Sequence, residues 1–372
     1  MQGTITRADF FLYKGMLIIC TTCGVAARRG HPAHIVHHIF PTSNISFLPH
    51  RTFLSHRTPG ISFTSLLLLR RMKKAFLQLH IAVLFAGFTA IIGRLIHLNE
   101  GILVWYRMLL SAVTLALILL FRHESARVSF LNLMKIFGVG AIVALHWVTF
   151  YGGIKHANVS VSVTCLSAIG FFTSFFEPII MKRKIDTVEV LLGLLAIAGI
   201  YLIFNFYPQY KTGIVFGIIS AMLASIFPVY NKKLLKHFTP HALTLFEMTG
   251  GFIALCIVIP FYLHFFPAYY YLPTFSDWVW LLILSWICTI LSFILQLNAL
   301  KLISPFTANL TYNLEPVYAI ILAFIIFREN KFLGPGFYFG LSLILLAVSL
   351  QMMRVRNERK PGKKIKTVRQ KI

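Results

Sequence analysis

The run "TYNLEPVYAIILAFIIFREN", residues 311–330, sets an acid and a proline, Glu315 and Pro316, inside an otherwise apolar stretch. An ionisable group near a bilayer centre costs roughly 2.5–3.5 kcal/mol on insertion scales, and a proline within a helix removes a backbone hydrogen bond. Together they mark a polar cavity, where a carboxylate can hold a proton, a cation or an amine. Asn309, Tyr312 and Asn313, with Thr311, add hydrogen-bonding groups over about one and a half turns, and Pro316 frees the carbonyl of Tyr312. The plainer reading makes Glu315 a protonated donor that only joins two helices.

Further candidates lie in other apolar segments. Arg107 and Glu247 fall four or five residues inside theirs, and are expected near opposite mouths as gates or anchors for charged groups. A snorkelling, interfacial Arg107 is the alternative, and Arg94 lies near the end of its own segment. His146 offers a ring that titrates near neutrality, and Trp147 a stacking surface. Tyr151, Gln296 and Asn298 are expected at similar depth, with simple packing as the competing reading. The spans hold no HExxH or GxSxG, and the soluble segments hold no phosphate-binding loop. No cofactor follows. Cys20-x-x-Cys23 with His31 and His34 has metal-like spacing but lacks the polar framework of a zinc fold, so no metal is expected.

The elements that carry these residues belong to a membrane. Of 372 residues 58% are hydrophobic and 12% charged, and the mean hydropathy is +0.77, too apolar for a soluble globular chain. The net charge of +24 is concentrated at the ends: residues 1–71 carry +7, residues 354–372 carry +8, and the long middle only +9. Terminal, juxtamembrane cations suit lipid headgroups and topology; no nucleic acid is expected as a partner. Of the five cysteines, Cys165, Cys256 and Cys288 sit in apolar spans and read as small buried side chains rather than a disulfide framework.

Ten spans of roughly 20 residues each can be placed from residue 72 onward, near 75–96, 103–121, 131–151, 159–181, 187–205, 212–231, 242–266, 277–298, 304–327 and 332–353. If the first helix starts in the cytoplasm, twenty Lys/Arg fall inside and four outside, so both ends of the helical unit are expected to be cytoplasmic. Residues 1–71, with six histidines and no helical periodicity, are expected to lie outside the fold, with Met72 as a natural start. Residues 354–372 form a basic tail.

The chain also repeats itself. "FYGGIKHANVSVS", residues 150–162, lies over "QLNALKLISPFTA", residues 296–308, with Lys155 on Lys301 and Asn158 on Ser304; "WYRM" over "LFEM" places Arg107 on Glu247. Five helices per copy is an odd number, so the second copy enters the bilayer from the opposite side. In this register Ile169, not Glu177, pairs with Glu315, so the Glu177-Pro178 and Glu315-Pro316 dipeptides are not symmetry mates.

With "VWYRM", "HWVTFYGGIKHANVSVS", "TLFEMTGG" and "LNALKLISPFTANLTYNLEPVYAIILAFIIFRE" in this order, the chain resembles the drug/metabolite transporter superfamily, EamA type, over about residues 72–353. The resemblance implies an all-α membrane protein of two inverted five-helix repeats, 72–206 and 207–353, around a cavity lined chiefly by the third, fourth, eighth and ninth helices. It implies a small-molecule substrate, often exported, in a cell (inner) membrane. Secondary active transport of metabolites such as amino acids, by alternating access, is the expectation. H+ or Na+ as coupling ion and a homodimer are compatible with it. An intramembrane enzyme using Glu315 or His146 as acid or base, and a passive pore or scramblase, are the alternatives.

Overall fold

The computed structural model describes residues 63–122, 128–312 and 314–358, and no strand occurs among them. The histidine-rich segment through residue 62, Asn313 and the tail from residue 359 lie outside the described residues. The first helix, α1 (Phe63–Leu95), begins several residues earlier than expected, reaching back into the segment read as lying outside the fold.

Next come α2 (Glu100–Phe121) and α3 (Phe130–His156). The fourth span is α4 (Val159–Cys165) and α5 (Ile169–Met181), joined by one tight helical turn, Leu166–Ala168. α6 (Thr187–Phe206), α7 (Lys211–Leu234) and α8 (Pro240–Phe265) are uninterrupted. The eighth span is α9 (Phe275–Ser285) and α10 (Ser292–Leu300), with a wide π turn over Trp286–Leu291 between them.

Nine helices among the described residues are long and apolar enough to cross a bilayer, with mean hydropathies of 1.7–2.3. Residues 304–327, expected as one span with a helix hydrogen bond lost at its proline, form two shorter helices, α11 (Pro305–Tyr312) and α12 (Glu315–Ile326). Pro316 is the physical reason: it has no N–H to continue the ladder and its ring crowds the preceding turn. The chain makes a tight turn there, Leu314 N–H donating to the carbonyl of Thr311 at 3.1 Å, and α12 restarts with the proline in its first turn. The last helix is α13 (Pro335–Glu358).

Helix ends are closed by short polar side chains, as orphan N–H groups require. Asn99 Oδ1 accepts from Gly101 N–H at 2.8 Å, Asn158 Oδ1 from Val161 N–H at 2.8 Å, and Asp186 Oδ1 from Val188 N–H at 2.9 Å. Thr274 and Asp277 form a reciprocal capping box.

The repeat is visible in the backbone. The offset of 146 residues that carries Lys155 onto Lys301 also carries Lys182 (φ 54°) onto Arg328 (φ 56°), and no other described non-glycine residue has positive φ. It carries the Asn158 cap onto Ser304, whose Oγ accepts from Thr307 N–H at 3.2 Å. Packing follows the same relation: α3 rests on α7 as α10 rests on α1, α2 faces α8, and α6 faces α13.

At the α6–α13 seam the fit is reciprocal. A Cβ on Gly199 would stand 2.6 Å from the carbonyl oxygen of Gly340, and a Cβ on Gly340 would stand 2.6 Å from that of Gly199. Only glycine allows this approach. We expect Gly199→Leu to destabilise the protein by about 1–3 kcal/mol through overpacking. The check is a lowered thermal unfolding midpoint in detergent, against Leu194→Ala on the exposed side of the same helix; equal midpoints would disprove the seam.

Burial separates centre from rim. In the most apolar stretch of the fourth span 78% of the residues are buried, against 28% in that of the fifth, so the former lines the interior and the latter faces outward.

Candidate functional site

Arg107 organises the centre. It lies seven residues into α2, about 10 Å from the helix start, and is 1% exposed. Its Nε donates to Thr289 Oγ1 at 2.7 Å, Nη1 to the Tyr151 hydroxyl at 2.8 Å and Nη2 to the carbonyl of Cys288 at 3.3 Å. The guanidinium stacks on Trp147, with Cζ 3.6 Å from the ring centroid. This corrects the expectation of a group at the mouth: the helix starts at Glu100, earlier than its apolar run suggested, so Arg107 sits about a turn deeper.

Two local features make that geometry. The π turn Trp286–Leu291 presents the Thr289 hydroxyl and the Cys288 carbonyl to the guanidinium together, a common use of π bulges. On the other side, a Cβ at Gly93 would fall 2.1 Å from the Tyr151 ring, so the bare backbone of α1 lets that ring lie against it and aim its hydroxyl at Arg107. Neither feature has a local sequence signal.

Arg107 opens onto a cavity of about 60 Å³, room for a few waters. Of the residues singled out from sequence, Arg107, His146, Trp147, Gln296, Asn309, Tyr312 and Glu315 line it. Thr89, Cys288 and Ser292, with the rings of Phe150, Phe227 and Phe293, complete the wall and were not anticipated. Glu315 is 7% exposed, and no described residue hydrogen-bonds its carboxylate or pairs with it within 4 Å. Arg107 and Glu315 thus share one small space without touching.

His146 Nδ1 lies 3.0 Å from the Ser220 carbonyl and 2.8 Å from its hydroxyl, and its ring stacks on Phe150 and lies tilted against Phe227. A proton on Nδ1 satisfies that carbonyl and leaves Nε2 as a hydrogen-bond acceptor. Asn309 Nδ2 donates to Thr173 Oγ1 at 2.9 Å, tying α11 to α5 beside the cavity.

The remaining candidates lie off the cavity. Tyr151 is fully buried, its hydroxyl accepting from Arg107 at 2.8 Å. Pro316 is buried and breaks the helix rather than lining the space. Asn298, two positions from Gln296, points to the other side of α10. Arg94, one residue before the end of α1, is exposed, with Nη1 3.5 Å from the Ile154 carbonyl.

Glu247 is no mouth residue: it is 0% exposed, and neither carboxylate oxygen has a hydrogen-bond partner among the described residues. Gly140 of α3 closes over it, since a Cβ there would meet the Glu247 carbonyl at 2.1 Å. Cys256 is exposed rather than buried, its sulfur accepting from Trp105 Nε1 at 3.2 Å. No group of three or more His, Cys, Asp or Glu that could hold a metal occurs among the described residues.

A larger groove of about 590 Å³, lined by Glu100, His156 and Lys155 with loop aromatics, lies at the helix ends. There Lys155 Nζ donates to the carbonyls of Ile96 and Leu98, closing the end of α1.

Comparison with known proteins agrees with this architecture. The model of the EamA-like transporter family matches residues 73–205 and again 211–353. An uncharacterized transporter of Archaeoglobus fulgidus is 25% identical over 152 residues, which is 41% of this chain and 53% of that protein. An uncharacterized transporter of Clostridium kluyveri is 22% identical over 214 residues, 54% of this chain and 66% of that protein. The chain thus covers less than two thirds of either relative's length. One crystal structure of a protein superimposes over 77% of this chain and 99% of its own with a TM-score of 0.55 at 16% identity, a likeness of fold.

Proposed function

The chain belongs to the EamA-like transporter family, and from that premise we propose that it is a secondary active transporter exporting small amphipathic metabolites such as amino acids by alternating access. The observation that carries this reading is the shared cavity of Arg107 and Glu315. Two groups of opposite charge type, polar lining from Gln296, Ser292 and Asn309, and a wall of aromatic rings complement a zwitterion with an apolar side chain. A substrate carboxylate would meet the guanidinium, and its ammonium would meet Glu315 and the acceptor nitrogen of His146.

A cavity of about 60 Å³ is too small for a metabolite, so the helices must part to admit one. Alternating access supplies that motion, with the two repeats rocking about the central site. The charge bias of the loops supports an inner-membrane orientation with both ends of the helical unit in the cytoplasm. H+ or Na+ is the coupling ion in this reading, and a homodimer is compatible with it.

Purified protein in proteoliposomes, loaded with a panel of labelled amino acids, tests the function. We expect saturable flux that disappears when the ion gradient is collapsed. Linear, unsaturable flux would point to a pore or scramblase instead, and chemical conversion without flux to an intramembrane enzyme.

A further inference from the structure

Among several carboxylates that bridge the two repeats, one holds the start of the fourth span. Glu329, in the short turn between α12 and α13, is 6% exposed. Its Oε1 accepts from Val159 N–H at 3.0 Å, and its Oε2 from Ser160 N–H at 2.8 Å and the Ser160 hydroxyl at 2.6 Å. An acid of the second repeat therefore closes the first turn of the fourth span in the first repeat. Charge-assisted bonds of this kind are about twice as strong as neutral ones.

The same two spans are also tied at a second level. Fourteen positions further along the fourth span, Thr173 Oγ1 accepts the single neutral bond from Asn309 of α11. Both spans line the cavity, through Leu166 and Ile169 on one side and Asn309, Tyr312 and Glu315 on the other. The path between them is thus held by three bonds to a carboxylate at one face and by one amide–hydroxyl bond toward the opposite face.

The internal symmetry makes the difference meaningful. The position equivalent to Glu329 at the 146-residue offset is Arg183, which pairs within its own span to Glu177 at 3.5 Å. The position equivalent to Asn158, Ser304, caps its own helix. At the other face the repeats are joined differently, by an ion pair between Asp186 and Arg354 and by Lys233 Nζ donating to the Ile180 carbonyl at 2.7 Å, and among the described residues no carboxylate there holds backbone amides of the fourth span.

We propose that Glu329 is a positioning residue of the transport cycle: its clasp on Val159 and Ser160 latches the face carrying the 327–334 loop, so the cavity opens more readily toward the opposite face. The proposal rests on the alternating-access reading above. Release of the clasp is the event that lets the fourth and ninth spans separate at the loop face, and toward the other face the Asn309–Thr173 bond is the direct side-chain bond between the same two spans.

The native Cys288, which lines the cavity, reports which face is open. Sealed membrane vesicles of either orientation, treated with a charged, membrane-impermeant methanethiosulfonate, give a rate of Cys288 modification from each side, read by peptide mass. We expect Glu329→Gln to raise that rate about tenfold from the loop face alone, equivalent to losing about 1.4 kcal/mol of bias. Glu329→Asp should retain most of the wild-type pattern, and Thr173→Val should raise the rate from the opposite face alone.

Should Glu329→Gln lower the amount of folded protein, Ser160→Ala removes one bond of the three and is expected to give a smaller, same-face rise of about threefold. If Glu329→Gln and Ser160→Ala leave both rates unchanged while Thr173→Val acts, the clasp is not a latch and alternating access stands. If no variant changes labelling from either face, both proposals fall. A rise from both faces at once would mean general loosening and would also overturn the latch.

Discussion

Replacing Arg107 by lysine is expected to lower flux at least about a hundredfold. The guanidinium serves three acceptors in two spans at once, Tyr151 in α3 and Thr289 with Cys288 in the π turn, while its face rests on Trp147. A lysine ammonium is a single donor point on a flexible stem and can neither fork between these acceptors nor stack. Losing two bonds to a charged donor removes roughly 3 kcal/mol, about two decades in rate if the loss falls on the closed, substrate-holding state. Arg107→Met removes the charge outright and leaves the Tyr151 hydroxyl and the Cys288 carbonyl without their buried donor, at a cost of about 1–3 kcal/mol each. We expect Arg107→Met to lower the thermal midpoint and, in the fraction that remains folded, to carry no measurable flux in proteoliposomes. Flux within about threefold of wild type in Arg107→Met would remove the guanidinium from the mechanism.

Glu315→Gln is expected to have an effect of similar size by a different route. The amide keeps the shape and hydrogen-bonding reach of the carboxyl, so folding and the α11–α12 turn should survive, because that turn depends on Pro316 and the backbone. What the substitution removes is the ability to carry negative charge in a cavity that Arg107 shares but where no described residue pairs with it directly. A substrate ammonium or a coupling cation then loses its counter-charge, and we expect flux to fall about a hundredfold and to lose its response to the ion gradient. Glu315→Asp, one methylene shorter, should restore part of the activity. A Glu315→Gln protein that still responds to the gradient would place coupling elsewhere, and the sealed carboxyl of Glu247 would be the first place to look.

Part of this site was legible from residues alone, because some positions violate their surroundings. An acid beside a proline in an apolar run is costly enough to demand a cavity, and Glu315 does line one. The Lys155–Lys301 register was legible because it rests on order and spacing, and the left-handed residues Lys182 and Arg328 fall into it. Depth was harder. Arg107 looked interfacial because hydropathy marks where apolar residues begin, whereas the helix starts with the capping residue Asn99 and the polar Glu100.

Partners from distant segments were not legible at all. Nothing around Thr289 announces a π turn, and nothing around Gly93 announces the Tyr151 ring. Glu329 looked like any loop charge in "FREN", since its value depends on two backbone amides 170 residues away. Sequence periodicity gives the face a residue occupies; it does not give what stands opposite.

The mutual glycine contact of α6 and α13 has a thermodynamic corollary. At that contact each helix sets a glycine against the other's glycine carbonyl and against the isoleucine four residues beyond it, so the contact itself favours neither half. A protein built wholly from such equivalences would have degenerate end states and no resting preference. Directionality must then reside where the duplicated copies have drifted apart, and an acid standing opposite a basic counterpart is the kind of divergence able to tilt an otherwise balanced see-saw.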